Sequence, residues 1–273
     1  MTRIVHAIAQ NEIFPDIIKF VLPHEKFNNT LYEKLLTQDD SVYVLFSDSN
    51  RIEGVISFSK GNSLVCCIPK WTGDIQESLS IFLENKKVSC IHGEESIVLK
   101  IEKLLNGRNL PKDERNLFMM EYDKMVFMDL PAQAFLCNRN HIDQLMPLQT
   151  GFSVEEVLPP WKDINPALER LSLERAIQND TVYAIGEGDE IFSKANISFY
   201  SKKFLQISGV YTRNEFRGNG YATALVNRLA ILASKVGLNA SLIVRQENLA
   251  ALMAYKNAGF GITGTYRIVY YKH

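Results

Sequence analysis

Residues Gly209 to Ala224 read GVYTRNEFRGNGYATA, and the fold turns on this stretch. A strand-like run, Phe204 to Val210 (FLQISGV), enters a turn that carries Arg217, Gly218 and Gly220. A long helical pattern, Gly220 to Leu238, follows at once. Leu225, Leu229, Leu232 and Val236 line one face, and Ala222, Val226, Ala230 and Ala233 line the adjoining one. An apolar surface that broad suits a helix laid across a sheet. The first turn of a helix has backbone N–H groups with no internal partner, and these groups with the helix dipole favour a phosphate. Glycine takes positive φ and lets the backbone approach an anion closely. Arg217 can add a charge-assisted bond to a phosphate oxygen. The stretch therefore predicts a pyrophosphate cradle between a strand and a helix.

Two rival phosphate motifs do not fit. A dinucleotide fingerprint needs a third glycine where Thr223 stands, and about fifty residues are too few for the rest of such a domain. A P-loop needs Gly-Lys-Ser/Thr, which the stretch lacks. Around it, Thr181 to Ile185 and Ile191 to Phe199 read as antiparallel strands about the acidic turn EGDE. Helices are expected over Asn140 to Gln149, Leu168 to Ile177 and Asn248 to Ala258. Further strands are expected at Phe135 to Cys137, Ser241 to Val244 and Ile268 to Tyr271. Strands and helices mixed with hairpins indicate a mixed α/β fold.

The segment RGNGYA matches the R/Q-x-x-G-x-G/A motif of the GCN5-related N-acetyltransferases (GNAT family) through Arg217, Gly220 and Ala222. Downstream, NLAALMAYKNAGF matches that family's N-x-x-A-x-x-x-Y-x-x-x-G-F pattern through Asn248, Ala251, Tyr255, Gly259 and Phe260. The chain resembles this family over residues 132–273. The resemblance implies a GNAT fold, a central mixed and mostly antiparallel sheet flanked by helices. It implies acetyl-CoA as cosubstrate, no metal, and a small-molecule or peptide amine as acceptor. Val210 and Tyr211 would hold the pantetheine arm. Arg217, Gly218, Asn219, Gly220, Tyr221 and Ala222, with Thr223 nearby, would hold the pyrophosphate. Asn248 would lie near the cofactor, and Tyr255 would give a proton to the departing thiolate or else serve as a packed aromatic. Gly259 and Phe260 read as helix stop and core anchor.

An amine must lose a proton before attacking a thioester, so a base is needed near neutral pH. Glu155 and Glu156, in GFSVEEVLPPW, follow the first helix of this half and stand beside Phe152, Pro159, Pro160 and Trp161. They are either acceptor-site carboxylates or a surface acidic pair, and the segment reads as an ordered loop over a pocket. His141 reads as a first-turn helix residue. An alternative to the enzyme is a non-catalytic acyl-CoA sensor with the same fold.

The 273 residues allow one large domain or two medium ones. Residues 1–125 more loosely resemble the degenerate GNAT-like domain that precedes the catalytic one in some tandem proteins, through EGVISF and VSCIHGEESIVLKIEKLL. Two GNAT-like halves are then expected. In the first, Glu94 and Glu95 would repel a pyrophosphate at a strand–helix turn. This half is read as structural or substrate-positioning, or as a partner-binding module. The polar run from Asn106 to Asn116 reads as a connector, after a helix that stops at Gly107. Ser41 to Ser47 and Gly54 to Phe58 read as paired strands, Leu64 to Ile68 as a third run, Asp74 to Glu84 as a helix and Val88 to Ile91 as a short strand.

Thirty Lys and Arg against 31 Asp and Glu give a net charge of -1, which argues against nucleic-acid binding by bulk charge. No apolar run approaches the roughly 20 residues of a membrane span, and residues 1–14 lack a signal-peptide core. The expectation is a cytoplasmic protein without membrane attachment. Cys66, Cys67, Cys90 and Cys137 show no metal-site spacing and are expected as buried free thiols.

Overall fold

The structure, a computed structural model, describes residues 2–105, 110–126, 133–188 and 190–271, and the backbone alone of residues 9–11. The chain forms two compact units. The first is Met1–Leu117 with Gly264–His273, and the second is Phe118–Thr263. Gly107, residue 132 and Asp189 of the EGDE turn lie outside the described residues.

The first unit opens with β1 (Arg3–His6), α1 (Phe14–Val21) and α2 (Asn29–Leu36). The expected hairpin is β2 (Val42–Phe46) with β3 (Ile52–Phe58), paired antiparallel across a turn where Asn50 has φ 59°. Then come β4 (Ser63–Cys67), α3 (Gly73–Leu83), β5 (Cys90–Glu94), α4 (Glu95–Leu105) and β6 (Pro111–Tyr122), whose residues from Phe118 on belong to the second unit. The core joins Leu45, Ile56 and Leu64 of the sheet to Leu79 and Ile101 of the two helices. Cys66, Cys67 and Cys137 are buried free thiols, and Cys90 is half-buried.

Two expectations in this half need correction. The strand expected at Val88 to Ile91 is displaced to Cys90–Glu94, with Val88 buried just before it. Of the polar run expected as a connector, Pro111 to Asn116 form the first half of β6 instead, and residues 106–109 lie outside the described residues. Its polar residues suit a strand because they find partners, Asp113 and Arg115 in each other and Glu114 and Asn116 in Arg267. Arg115 is buried and meets Asp113 at 2.7 Å, while Glu114 and Asn116 both bind Arg267.

The second unit contains β7 (Ala134–Leu136), α5 (Ile142–Phe152), α6 (Pro166–Gln178), β8 (Val182–Glu187), β9 (Glu190–Tyr200) and β10 (Phe204–Thr212). It continues through α7 (Tyr221–Lys235), β11 (Asn239–Arg245), α8 (Leu249–Asn257) and the start of β12 (Phe260–Tyr271). Its strands lie in the order β6-β11-β10-β9-β8-β7. The pairs β7–β8, β8–β9 and β9–β10 are antiparallel, and β10–β11 is parallel. The mixed, mostly antiparallel sheet flanked by helices is the architecture expected. Leu225, Leu229 and Ala233 of α7 are wholly buried against Ile207 and Leu242. Leu145 and Leu148 of α5 pack with Leu173 of α6 and Ala184 of β8 in a second cluster. His141 closes a capping box: Asn138 N donates to His141 Nδ1 at 3.0 Å, and Asn140 N donates to Asn138 Oδ1 at 3.0 Å. Among the described residues no helix is long and apolar enough to cross a membrane.

The closing strand is longer than expected, and its division between the units was not foreseen in the boundaries 1–125 and 132–273. From Tyr266 to Tyr270 it pairs antiparallel with β5 of the first unit. Arg267 fixes it there. Its Nε donates to Glu102 Oε2 at 2.6 Å, its Nη2 to Glu102 Oε1 at 3.1 Å and also to Glu114, and its Nη1 to Asn116 Oδ1 at 2.6 Å. The Glu102 hydrogen bond, outweighing burial, raises the guanidinium's pKa above its ordinary value. Arg267→Met should lower unfolding stability by about 3–5 kcal/mol, because it leaves the half-buried Glu102 without its cation. Denaturant unfolding of the full chain, with an unchanged m value, checks this.

Candidate active site

The strands β10 and β11 pair in parallel over three positions, Phe204↔Asn239, Leu205↔Ala240 and Gln206↔Ser241. Beyond Gln206 both continue, to Thr212 and Arg245, with no further pairing between them. On its other edge β10 carries a bulge. The register with β9 passes from Ser208↔Asn196 to Tyr211↔Lys194, so Gly209 and Val210 face Ala195 alone. Gly209 has φ +59°. A bulge leaves a residue unpaired and bends its strand. Val210 and Tyr211, the expected pantetheine positions, thus lie on a strand irregular on one edge and parted from its neighbour on the other.

Of the two strands, β10 leads through residues 213–219 to the N terminus of α7. Gly220 is its N-cap, with φ 79° and no side-chain cap, and Gly218 has φ 82°. Nothing lies within 4 Å of where a Cβ would stand on either glycine. Ala224 N donates to Gly220 O at 2.9 Å, so the Tyr221, Ala222 and Thr223 amides precede the first closed helical bond. Not every member of the expected cradle is available. The Arg217 amide donates to Asn214 O, and Asn219 Nδ2 donates to Phe216 O at 3.1 Å. The Tyr221 ring packs 5.1 Å from Phe192, and Thr223 is buried.

The Arg217 side chain is also engaged. Nε donates to Thr212 O at 3.1 Å, the guanidinium lies 5.2 Å over the Tyr211 ring, and Nη2 meets Glu155 Oε2 at 2.9 Å. The Tyr211 hydroxyl donates to Glu155 Oε1 at 2.6 Å. Burial alone would raise the Glu155 pKa, but Tyr211 and Arg217 together bring it below the ordinary carboxylate range.

Glu156 faces different company. Residues Ser153–Val157 form one turn of π-helix rather than the expected loop. This geometry is frequent at functional sites, and it separates the two adjacent carboxylates. Asn248 Nδ2 donates to Glu156 Oε1 at 2.9 Å, while Asn248 Oδ1 caps α8 by accepting from Ala251 N at 3.0 Å. Arg245 Nη2 donates to the Glu156 carbonyl at 3.0 Å, and its Nε stands 3.4 Å from Oε2. Burial, with help from Glu155 and Glu247, raises the Glu156 pKa against the pull of Arg245 and Asn248. Tyr255, buried on α8, has its phenol pKa raised by burial and by the Glu156 charge. Glu156, Asn248 and Tyr255 therefore share one locality. Gly259 ends α8 at φ +99°, and a Cβ there would strike the Lys124 carbonyl oxygen. Phe260 behind it is buried against Tyr122, 5.5 Å between rings.

Residues 145–260 match the family model described as the Acetyltransferase (GNAT) family. The chain carries a GNAT domain. The match lies inside the second unit and includes both sequence motifs. Solved structures share the fold over nearly the whole chain at low identity. An acetyltransferase of the GNAT family from Colwellia psychrerythraea superposes with TM-score 0.67 at 10% identity, covering 100% of both chains. A Drosophila protein gives 0.68 at 10% identity, covering 98% of each. A GCN5-related N-acetyltransferase from Sphaerobacter thermophilus gives 0.62 at 14%, covering 98% of this chain and 94% of that one. No curated protein matches the sequence.

The first unit runs through elements in the same order as the GNAT domain, but with a different helix start. By element order the counterpart of the Gly218–Gly220 turn is Ile68 to Thr72, between β4 and α3, and not Glu94–Glu95 as the sequence suggested. Glu94 and Glu95 join β5 to α4, where the GNAT domain has Arg245 to Asn248. In the first unit the side chain of Thr72 accepts from Ile75 N at 3.3 Å and so caps α3. In the GNAT domain the corresponding amides of α7 have no such cap.

Because Glu155 has a depressed pKa, its contribution to stability is present above the ordinary carboxylate pKa and is lost as pH falls through the depressed value. Arg217→Met should move its midpoint up, toward the ordinary carboxylate range, because the cation that favours the charged form is gone. Carboxyl-carbon NMR titration of the wild type and the variant reads the shift directly.

Proposed function

We propose that the GNAT domain binds acetyl-CoA and transfers its acetyl group to an amine by direct attack. The observation that carries this reading is the parting of β10 from β11 above an uncapped helix N terminus, with two positive-φ glycines whose Cβ positions face open space. These features fit the cosubstrate. The amides from Gly218 to Thr223 would hold the pyrophosphate, and the backbone of Val210 and Tyr211 would hold the pantetheine arm. The first unit would have no equivalent cradle, since Thr72 already satisfies an amide of α3. It is read as a degenerate GNAT-like half that supports the active one.

Acetyl-CoA supplies a thioester, so the amine nitrogen forms the new C–N bond as the C–S bond breaks. Glu156 takes the proton that the amine must lose. Its raised pKa makes it a stronger base than an ordinary carboxylate, closer to the operating pH. Tyr255 gives a proton to the leaving sulfur. Its phenol stays protonated at neutral pH because burial and Glu156 disfavour the phenolate. Backbone N–H groups freed by the bulge at Gly209 and Val210 polarise the thioester carbonyl. Glu155 acts by position: it ties the π-turn to Tyr211 and Arg217 and so orients its neighbour Glu156.

Gly220→Asp should abolish acetyl-CoA binding in calorimetry while the far-UV spectrum stays native. Aspartate tolerates left-handed φ and can cap the helix, but its charge occupies the phosphate position. Normal affinity in the folded variant would remove the cradle. Tyr255→Phe keeps the ring packed and removes only the hydroxyl. It should slow single-turnover acetyl transfer about 10²–10⁴-fold with little change in acetyl-CoA affinity. An unchanged single-turnover rate would leave Tyr255 as packing alone.

A further inference from the structure

Lys194 lies in the middle of β9 and is completely buried. An ammonium has three protons to donate. Among the described residues its nitrogen has one hydrogen-bond acceptor, Asn196 Oδ1, at a long 3.4 Å. The ring of Phe152 lies over it, 5.6 Å from Nζ to the centroid. Burying a cation this poorly paired is costly, and a fold that needed only packing would be served by an apolar residue.

Its position bears on the proposed reaction. Lys194 stands opposite Tyr211 and Asn196 opposite Ser208, so the two flank the bulge of β10. A Cβ on Gly209 would lie 3.2 Å from Lys194 Nζ and 3.0 Å from Asn196 Nδ2. Both side chains therefore reach the bulged backbone on its α5 side. A second unsatisfied polar group stands on α5, where Gln149 is buried and its Oε1 has no partner. Gln149 Nε2 and Ser153 Oγ both donate to Glu169 Oε2 at 2.8 Å. Donors on β9 are thus left over beside the bulge, while a spare acceptor and a carboxylate stand on α5 and α6.

We propose that Lys194 and Asn196 bind a carboxylate on the acceptor, so that the acceptor class is small amino carboxylates such as free amino acids. This rests on the acyl transfer proposed above. In an α-amino acid the carboxylate is attached to the carbon that bears the nitrogen. A carboxylate held by Lys194 and Asn196 therefore keeps the amine beside the bulge, where the thioester carbonyl is proposed to lie. Gln149 Oε1 and the Glu169 carboxylate offer acceptors to the ammonium form as it enters. Entry requires the Phe152 ring to move off Nζ, and Phe152 adjoins the irregular π-turn.

The titratable groups that face Lys194 are the Glu169 carboxylate from α6 and the Cys137 thiol after β7. Phe152 of α5 and Asn196 of its own strand are neutral. Burial brings the Lys194 pKa down to about 8, with Cys137 and Glu169 opposing the drop. The ammonium therefore predominates at neutral pH, and the neutral amine above pH 8 has little hold on a carboxylate.

The test uses the full chain with acetyl-CoA and reads thiol release for free amino acids beside their amides. The expected wild-type KM is lower for each good amino acid than for its amide by at least about tenfold, the effect of one hydrogen bond to a charged group. The amino-acid KM, relative to the amide KM, should rise as pH passes 8. Lys194→Met, checked for native near-UV dichroism, should collapse the ratio to near one. If that variant does not fold, the wild-type pH dependence of the ratio decides. Equal use of amides and amino acids, or a preference that survives in folded Lys194→Met, overturns the inference and leaves acetyl transfer standing. Bound acetyl-CoA with no thiol release from any amine overturns the transfer reading and this inference with it.

Discussion

The separation of β10 from β11 after three paired positions is the constraint on which the second unit depends. Parallel strands that part expose backbone donors and acceptors along two inner edges, and buried groups of that kind must find partners. The surrounding elements are arranged to use that opening. β10 carries its bulge at Gly209, and the turn after β10 ends at the uncapped first turn of α7. Leu225, Leu229 and Ala233 anchor α7 to the sheet and so fix where its amides point.

The paired glutamates show how one irregular turn makes two chemistries from one residue type. In a regular strand, successive side chains diverge to opposite faces; in an α-helix they stand about 100° apart. The π-turn gives Glu155 to Arg217 and Tyr211, where it is stabilised as the anion. It gives Glu156 to a more enclosed locality beside Tyr255, where the neutral form gains. One carboxylate is thereby held as the anion, and the other is the more readily protonated.

The parts legible in the sequence are those where backbone conformation restricts the residue. Gly218 and Gly220 are glycines because the turn takes φ near +80°. Gly259 is a glycine because its φ is positive and the Lys124 carbonyl leaves no room for a Cβ. Apolar periodicity revealed α7 and the β2–β3 hairpin for the same kind of reason. The first half of β6 was not legible, because Glu114 and Asn116 are satisfied by Arg267 some 150 positions away, and periodicity carries no trace of such a partner. The division of β12 between units was hidden likewise. Lys194 stood in plain view within IFSKANISF. In a strand where Ser193, Lys194 and Ala195 are all buried, alternation gives no sign of which side faces water. The available signal was the charge itself, in a run otherwise fit for a core.

The assignment of Gly264–His273 to the first unit has a consequence for biosynthesis. At about 5–20 residues per second, the intervening 146 residues, Phe118–Thr263, take on the order of ten seconds to emerge from the ribosome. Throughout that interval the nascent first unit has β5 in place and the strand that belongs beside it still untranslated. An uncovered strand edge is a template for wrong pairing. The first unit is thus begun before the second but cannot be finished before it, and its maturation is coupled to the translation of the GNAT domain.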